Sequence, residues 1–131
     1  MRILAGVFTQ KTDYERLKKY RASFIVKILS EVFEKIDILI TPVWPCLIPK
    51  IDESDIGANP EAAYLVKRIG HNTRPVNFMG LPAVCIPIGL DKNGLPMSIQ
   101  LIGKPYSESV LLKLAHHLER EYDFWSQRPK I

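Results

Sequence analysis

Two apolar runs of strand length, residues 83–89 (AVCIPIG) and 97–103 (MSIQLIG), stand on either side of Asp91-Lys92-Asn93-Gly94, and this arrangement constrains the chain more than any other feature. Asp, Asn and Gly accept the backbone angles that a tight reversal needs, so the runs are expected to pair as a hairpin. Pro87 has no N–H to give to a ladder, which argues for a sheet edge or a bulge there.

Helical periodicity surrounds this hairpin. Tyr14, Leu17, Phe24, Ile25, Ile28, Leu29, Val32, Phe33 and Ile36 recur at helical spacing after Thr12 and Glu15, which form a capping-box pattern. Arg21 falls within the apolar stripe and is expected to snorkel at its edge. Residues 37–41 are apolar on both faces and closed by Pro42, the pattern of a buried, central strand. Residues 42–60 carry four prolines and several acidic residues and read as an irregular connection of the kind that lines a site or is mobile. Residues 61–68 suit a helix opened by Pro60. Near the end, Ser107 suits an N-cap, followed by Val110, Leu111, Leu114, Ala115 and Leu118 at helical spacing. The expected fold class is α/β, a few strands of a mixed sheet flanked by helices, in one unit of 131 residues with no repeat or linker.

Composition narrows the function. The net charge of +4 is spread along the chain, and its densest group, Lys18, Lys19 and Arg21, points in several directions on a helix, so nucleic acid is not an expected partner. No apolar stretch reaches the roughly 18 residues of a membrane span. Cys46 and Cys85 sit in apolar company and read as reduced, buried thiols, which suggests a reducing, cytoplasmic setting.

Residue chemistry offers little catalysis. Nucleophilic hydrolysis needs a nucleophile, a base within reach and oxyanion donors, and Ser23, Ser30, Ser54, Ser98, Ser107, Ser109 and Ser126 are isolated, none in a glycine-rich turn. His116 and His117 are neighbours on a helix and diverge, so they cannot grip one metal ion; His71 stands near Asn72 and Thr73 without a carboxylate or cysteine beside it. No catalytic residue, metal ligand or cofactor motif is assigned.

The stretch Thr73-Arg74-Pro75-Val76-Asn77-Phe78-Met79-Gly80-Leu81-Pro82-Ala83, followed by Ile86-Pro87-Ile88-Gly89, Gly94-Leu95-Pro96 and Gln100-Leu101-Ile102-Gly103, resembles the C-terminal signature of the amidase-signature family. The likeness continues through Glu108, Leu111-Leu112, Leu114-Ala115 and Glu119 to Trp125 and Arg128-Pro129, and upstream through Phe33-Glu34, Asp37-Ile38-Leu39-Ile40-Thr41-Pro42 and Arg2-Ile3-Leu4 with Gly6. It implies a partial amidase-signature fold in which residues 1–131 are the C-terminal portion of the domain. It also implies amide hydrolysis by a serine nucleophile, a second serine on a cis peptide and a lysine, all preceding the segment matched here. None of the three has a counterpart in this sequence. In the tRNA-dependent glutamine amidotransferase subunits that resemble this stretch, an aspartate stands three positions before the threonine matched by Thr73. Gly70 stands there in this chain, so a general amidase ancestry is expected.

The expected role is to complete the sheet and wall the substrate pocket of an amidase whose catalytic half lies elsewhere, with Thr41 and Trp44 in a loop at residues 41–44 and Thr73 and Asn77 in a loop at residues 73–77 as the substrate-facing residues. The expected partners are a separate catalytic half or a second copy of the chain. The alternatives are a non-catalytic interaction or dimerisation module, and a truncated remnant without independent function.

Overall fold

The structure, a computed structural model, describes residues 6–127. The expectations that rest on Arg2, Ile3, Leu4, Arg128, Pro129 and the Trp125 side chain lie outside what is described. The elements in order are α1 (Lys11–Glu31), β1 (Ile38–Pro42), α2 (Ile51–Ser54), α3 (Ala62–Ile69), α4 (Thr73–Met79), β2 (Ala83–Leu90), β3 (Pro96–Gly103), α5 (Glu108–Tyr122) and a 3-10 turn (Phe124–Ser126). The α/β class is as expected.

The hairpin forms as its turn residues require. Asp91 Oδ1 accepts the N–H groups of Asn93 at 2.8 Å and Leu95 at 2.9 Å, and Gly94 adopts φ 77°. β2 and β3 pair antiparallel, with a register shift between Pro87 and Gly89 that absorbs the proline. β1 lies along the other side of β3, also antiparallel, giving the order β1-β3-β2. The expectation of a central strand at 37–41 is therefore corrected: β3 is central, β1 is an edge, and Ile40 is 52% exposed. Its two-sided apolar pattern is met on both faces of the sheet, Leu39 packing against one core cluster and Ile38 against the other.

Alternation along β3 sends neighbouring side chains to opposite faces. Ile102 joins Phe33, Val76, Met79 and Leu81, with Ile25, Ile28, Leu29 and Leu39 packed around them. Leu101 joins Ile86, Leu111 and Ala115 beneath α5. Leu101 and Leu111 are almost wholly buried, so truncating either to Ala costs about 2–5 kcal/mol.

Three helix details differ from expectation. α1 ends at Glu31, short of Ile36, and Gln10 is its N-cap; the Thr12 hydroxyl contacts Gln10 Oε1 at 3.4 Å, so no capping box forms. Pro60 precedes the Glu61 cap of α3 and so lies outside the helix. Residues 73–77, expected as loop, belong to α4. Pro75 falls within its first turn, where a missing N–H breaks no intrahelical bond, and Gly80 closes the helix at φ 71° with its N–H on Val76 O at 2.9 Å.

Arg21 does more than snorkel. Its Nε and Nη2 donate to the carbonyls of Phe78 and, at 2.8 Å, Met79, so α1 caps the C-terminus of α4. The cysteines are also corrected: both are free, but Cys85 is exposed and Cys46 only half-buried.

Candidate functional site

The polar centre of the described chain is Gln100, 2% exposed in the middle of β3. A buried carboxamide without partners costs about 1–3 kcal/mol, and this one is paired. Its Nε2 donates to Thr41 Oγ1 at 2.8 Å and to Asn72 O at 3.1 Å. Asn72 Nδ2 in turn donates to Pro42 O at 2.8 Å. The knot ties the end of β1 to the residue that opens α4, so two segments far apart in sequence meet over one face of the sheet. Sequence reasoning does not single out Gln100 or Asn72 as site residues. The available signal is a lone amide inside an apolar strand, since a buried amide requires partners.

Beyond the knot, β1 runs out into a cleft of about 630 Å³ formed with the hairpin tip. Pro42, Val43, Trp44, Leu47, Ile88 and Met97 supply much of its wall. Asp91 contributes a carboxylate there: its Oδ1 is held by the turn, and its Oδ2 is buried without a hydrogen-bond partner among the described residues.

The expected substrate-facing residues divide between two places. Trp44, 38% exposed, lines this cleft. Thr41 lines a smaller hollow of about 210 Å³ with His71, Asn72 and Pro75, and its hydroxyl is engaged by Gln100. Thr73 is the first residue of α4, next to Asn72, so it neighbours the Thr41 side of the knot. Asn77 is exposed further along α4, and neither hollow includes it.

Five serine hydroxyls are occupied locally. Ser23, Ser30, Ser54, Ser107 and Ser126 each donate to a backbone carbonyl three or four residues earlier. For Ser107, this bond to Lys104 O means the side chain does not cap α5, although the residue holds the N-cap position. Among the described residues, no group of three or more His, Cys, Asp and Glu could hold a metal ion, and no helix is long and apolar enough to cross a membrane. At Gly70, an added Cβ would lie 2.7 Å from Arg74 Nε, so the Arg74 guanidinium occupies the room a side chain at 70 would take.

Known proteins agree with this architecture. The family model described as Amidase matches residues 1–112. A glutamyl-tRNA(Gln) amidotransferase chain of Prochlorococcus marinus is 37% identical over 98% of this chain and 26% of its own length. The fatty acid amide hydrolase of Medicago truncatula is 33% identical over 80% of this chain and 17% of its own length. Among solved structures, a chain from a vestigial protein complex that bears on the origins of an s-triazine catabolic enzyme superposes with a TM-score of 0.73, at 28% identity, covering 99% of this chain and 28% of that one. The chain thus spans about a quarter or less of the length of the curated relatives it matches.

Proposed function

The chain belongs to the amidase family, and we propose that within it these residues act as a sheet-completing, pocket-walling portion of an amide-hydrolysing domain, with the Ser–cis-Ser–Lys machinery supplied from outside the segment. The observation that carries this reading is the pairing of near-complete coverage of this chain with only 26% coverage of the relative. Family resemblance spans the chain, yet the bulk of the family's domain lies beyond it.

The local chemistry supports the same reading. Five serine hydroxyls are spent on their own backbone turns, so none of the five is poised beside a base as a nucleophile must be. Meanwhile the cleft beside Trp44 is mostly apolar, with one carboxylate, which suits the wall of a pocket for an apolar acyl or amine group. Of the four candidate substrate-facing residues, Trp44 lines this cleft and Thr41 the smaller hollow beside the knot, while Thr73 and Asn77 lie along α4.

The test is direct. The purified chain is assayed on simple amides and esters and exposed to a serine-directed fluorophosphonate. No turnover above background and no labelling are expected; activity abolished by replacing any one serine would overturn the proposal.

A further inference from the structure

Deepening that reading, we propose that the outer edge of β1 is where the remainder of an amidase-family domain adds a strand, and that the outer edge of β2 is closed to such pairing. The ladder geometry separates the two edges. Val43 N–H donates to Ser98 O at 3.0 Å, which continues the Thr41↔Gln100 and Leu39↔Ile102 register. Bonded pairs in an antiparallel ladder recur at every second residue. Leu39 and Thr41 therefore turn their N–H and C=O groups toward β3, and Ile38 and Ile40 turn theirs outward. Pro42, which has no N–H, also falls at an outward position, and its carbonyl is taken by Asn72. The open edge consists of the backbone groups of Ile38 and Ile40, with the Ile40 side chain half-exposed beside them.

On the opposite edge, Gly103 N–H donates to Pro82 O at 3.0 Å, so Val84 and Ile86 face β3 while Cys85 and Pro87 face outward. Pro87 cannot donate, the bulge to Gly89 breaks the repeat, and the 3-10 turn Phe124–Ser126 packs against this strand. Exposed edges in folded proteins are ordinarily blunted in these ways. Among the described residues, β2 is blunted along its outer edge, whereas on β1 only Pro42 is, and the backbone groups of Ile38 and Ile40 are left open. An apolar Ile-Leu-Ile edge left unprotected fits a strand that is interior to a larger sheet, and the relatives' length supplies the chain to cover it.

The experiment uses the full 131-residue chain and, as probe, an affinity-tagged Prochlorococcus marinus relative from which the matched quarter is deleted. Ile40→Pro removes one outward N–H without touching the β3 ladder, so the variant is expected to keep the wild-type circular dichroism and melting midpoint. It should co-purify with the probe about tenfold less than wild type. Amide exchange gives a second readout that needs no variant. In the chain alone, Ile38 and Ile40 should exchange about tenfold or more faster than Leu39 and Thr41, and the probe should slow them. Equal capture of wild type and Ile40→Pro would overturn the edge assignment while leaving the sheet-completing role intact. No capture of wild type would overturn both. Self-association of the chain that Ile40→Pro abolishes would show a second copy on this edge and overturn the proposed occupant.

Discussion

Gln100 Nε2 lies 2.8 Å from Thr41 Oγ1, a bond between facing residues of adjacent antiparallel strands that sits at the strand end leading into the cleft. Gln100 is 2% exposed, so its amide has no access to water to replace a lost partner. Gln100→Leu removes the bonds to both Thr41 and Asn72 and is expected to lower the unfolding free energy by about 1–3 kcal/mol in urea titrations. Thr41→Val removes one of the two acceptors and should cost less, because Asn72 O still accepts. A Thr41→Val cost equal to that of Gln100→Leu would show that the knot acts through Thr41 alone.

Arg21 and Gly80 form a second coupled pair. Arg21 donates to the last carbonyls of α4, and a Cβ at Gly80 would meet Arg21 Nη2 at 2.7 Å, on a residue already at φ 71°. Gly80→Ala should cost about 1–3 kcal/mol, partly from left-handed strain and partly from displacing the guanidinium. Arg21→Met should cost about 1 kcal/mol through the lost caps. In a double-mutant cycle the Gly80→Ala penalty is expected to shrink in the Arg21→Met background, because the strain persists and the collision does not. Strict additivity would refute the contact.

The parts legible in the sequence are those whose cause is local. The hairpin follows from Asp91, Asn93 and Gly94, the bulge from the missing N–H of Pro87, and α5 from apolar spacing around Leu111 and Ala115. What is not legible depends on partners remote in sequence. An apolar run such as 38–41 looks central whether or not a neighbouring strand is present. Residues 73–77 are expected as loop, yet they form a helix, with Pro75 in the first turn where its missing N–H breaks no bond. The knot at Gln100 joins positions 41, 72 and 100, and no spacing rule connects them. Trp44 reads as pocket-lining because it follows a strand end, and the cleft lies there.

Cysteine reactivity checks the corrected burial. The apolar company of both thiols suggests burial, but Cys85 is an outward position on the β2 edge and exposed, and Cys46 is half-buried in the cleft wall. A bulky maleimide should label Cys85 first and Cys46 more slowly, with the two rates converging in denaturant. Mass spectrometry of partially labelled chain reads the order, and faster labelling of Cys46 would contradict this packing.

The proposed substrate wall is tested differently by Trp44 and Thr73. Trp44 is 38% exposed in a cleft of about 630 Å³, so its indole fills space without closing a core. Truncating it should enlarge the cleft at little cost in stability. Thr73 opens α4 beside Asn72, where its hydroxyl can face substrate or serve only the helix start. In a domain completed by the remaining portion, Trp44→Ala is expected to shift kcat/KM toward bulky amides over small ones by about tenfold, the scale on which pocket volume discriminates. Thr73→Val is expected to shift the same ratio, with the melting temperature nearly unmoved for both. A large fall in melting temperature with an unchanged ratio would show that these residues are scaffold, and would move the specificity wall to residues outside this chain.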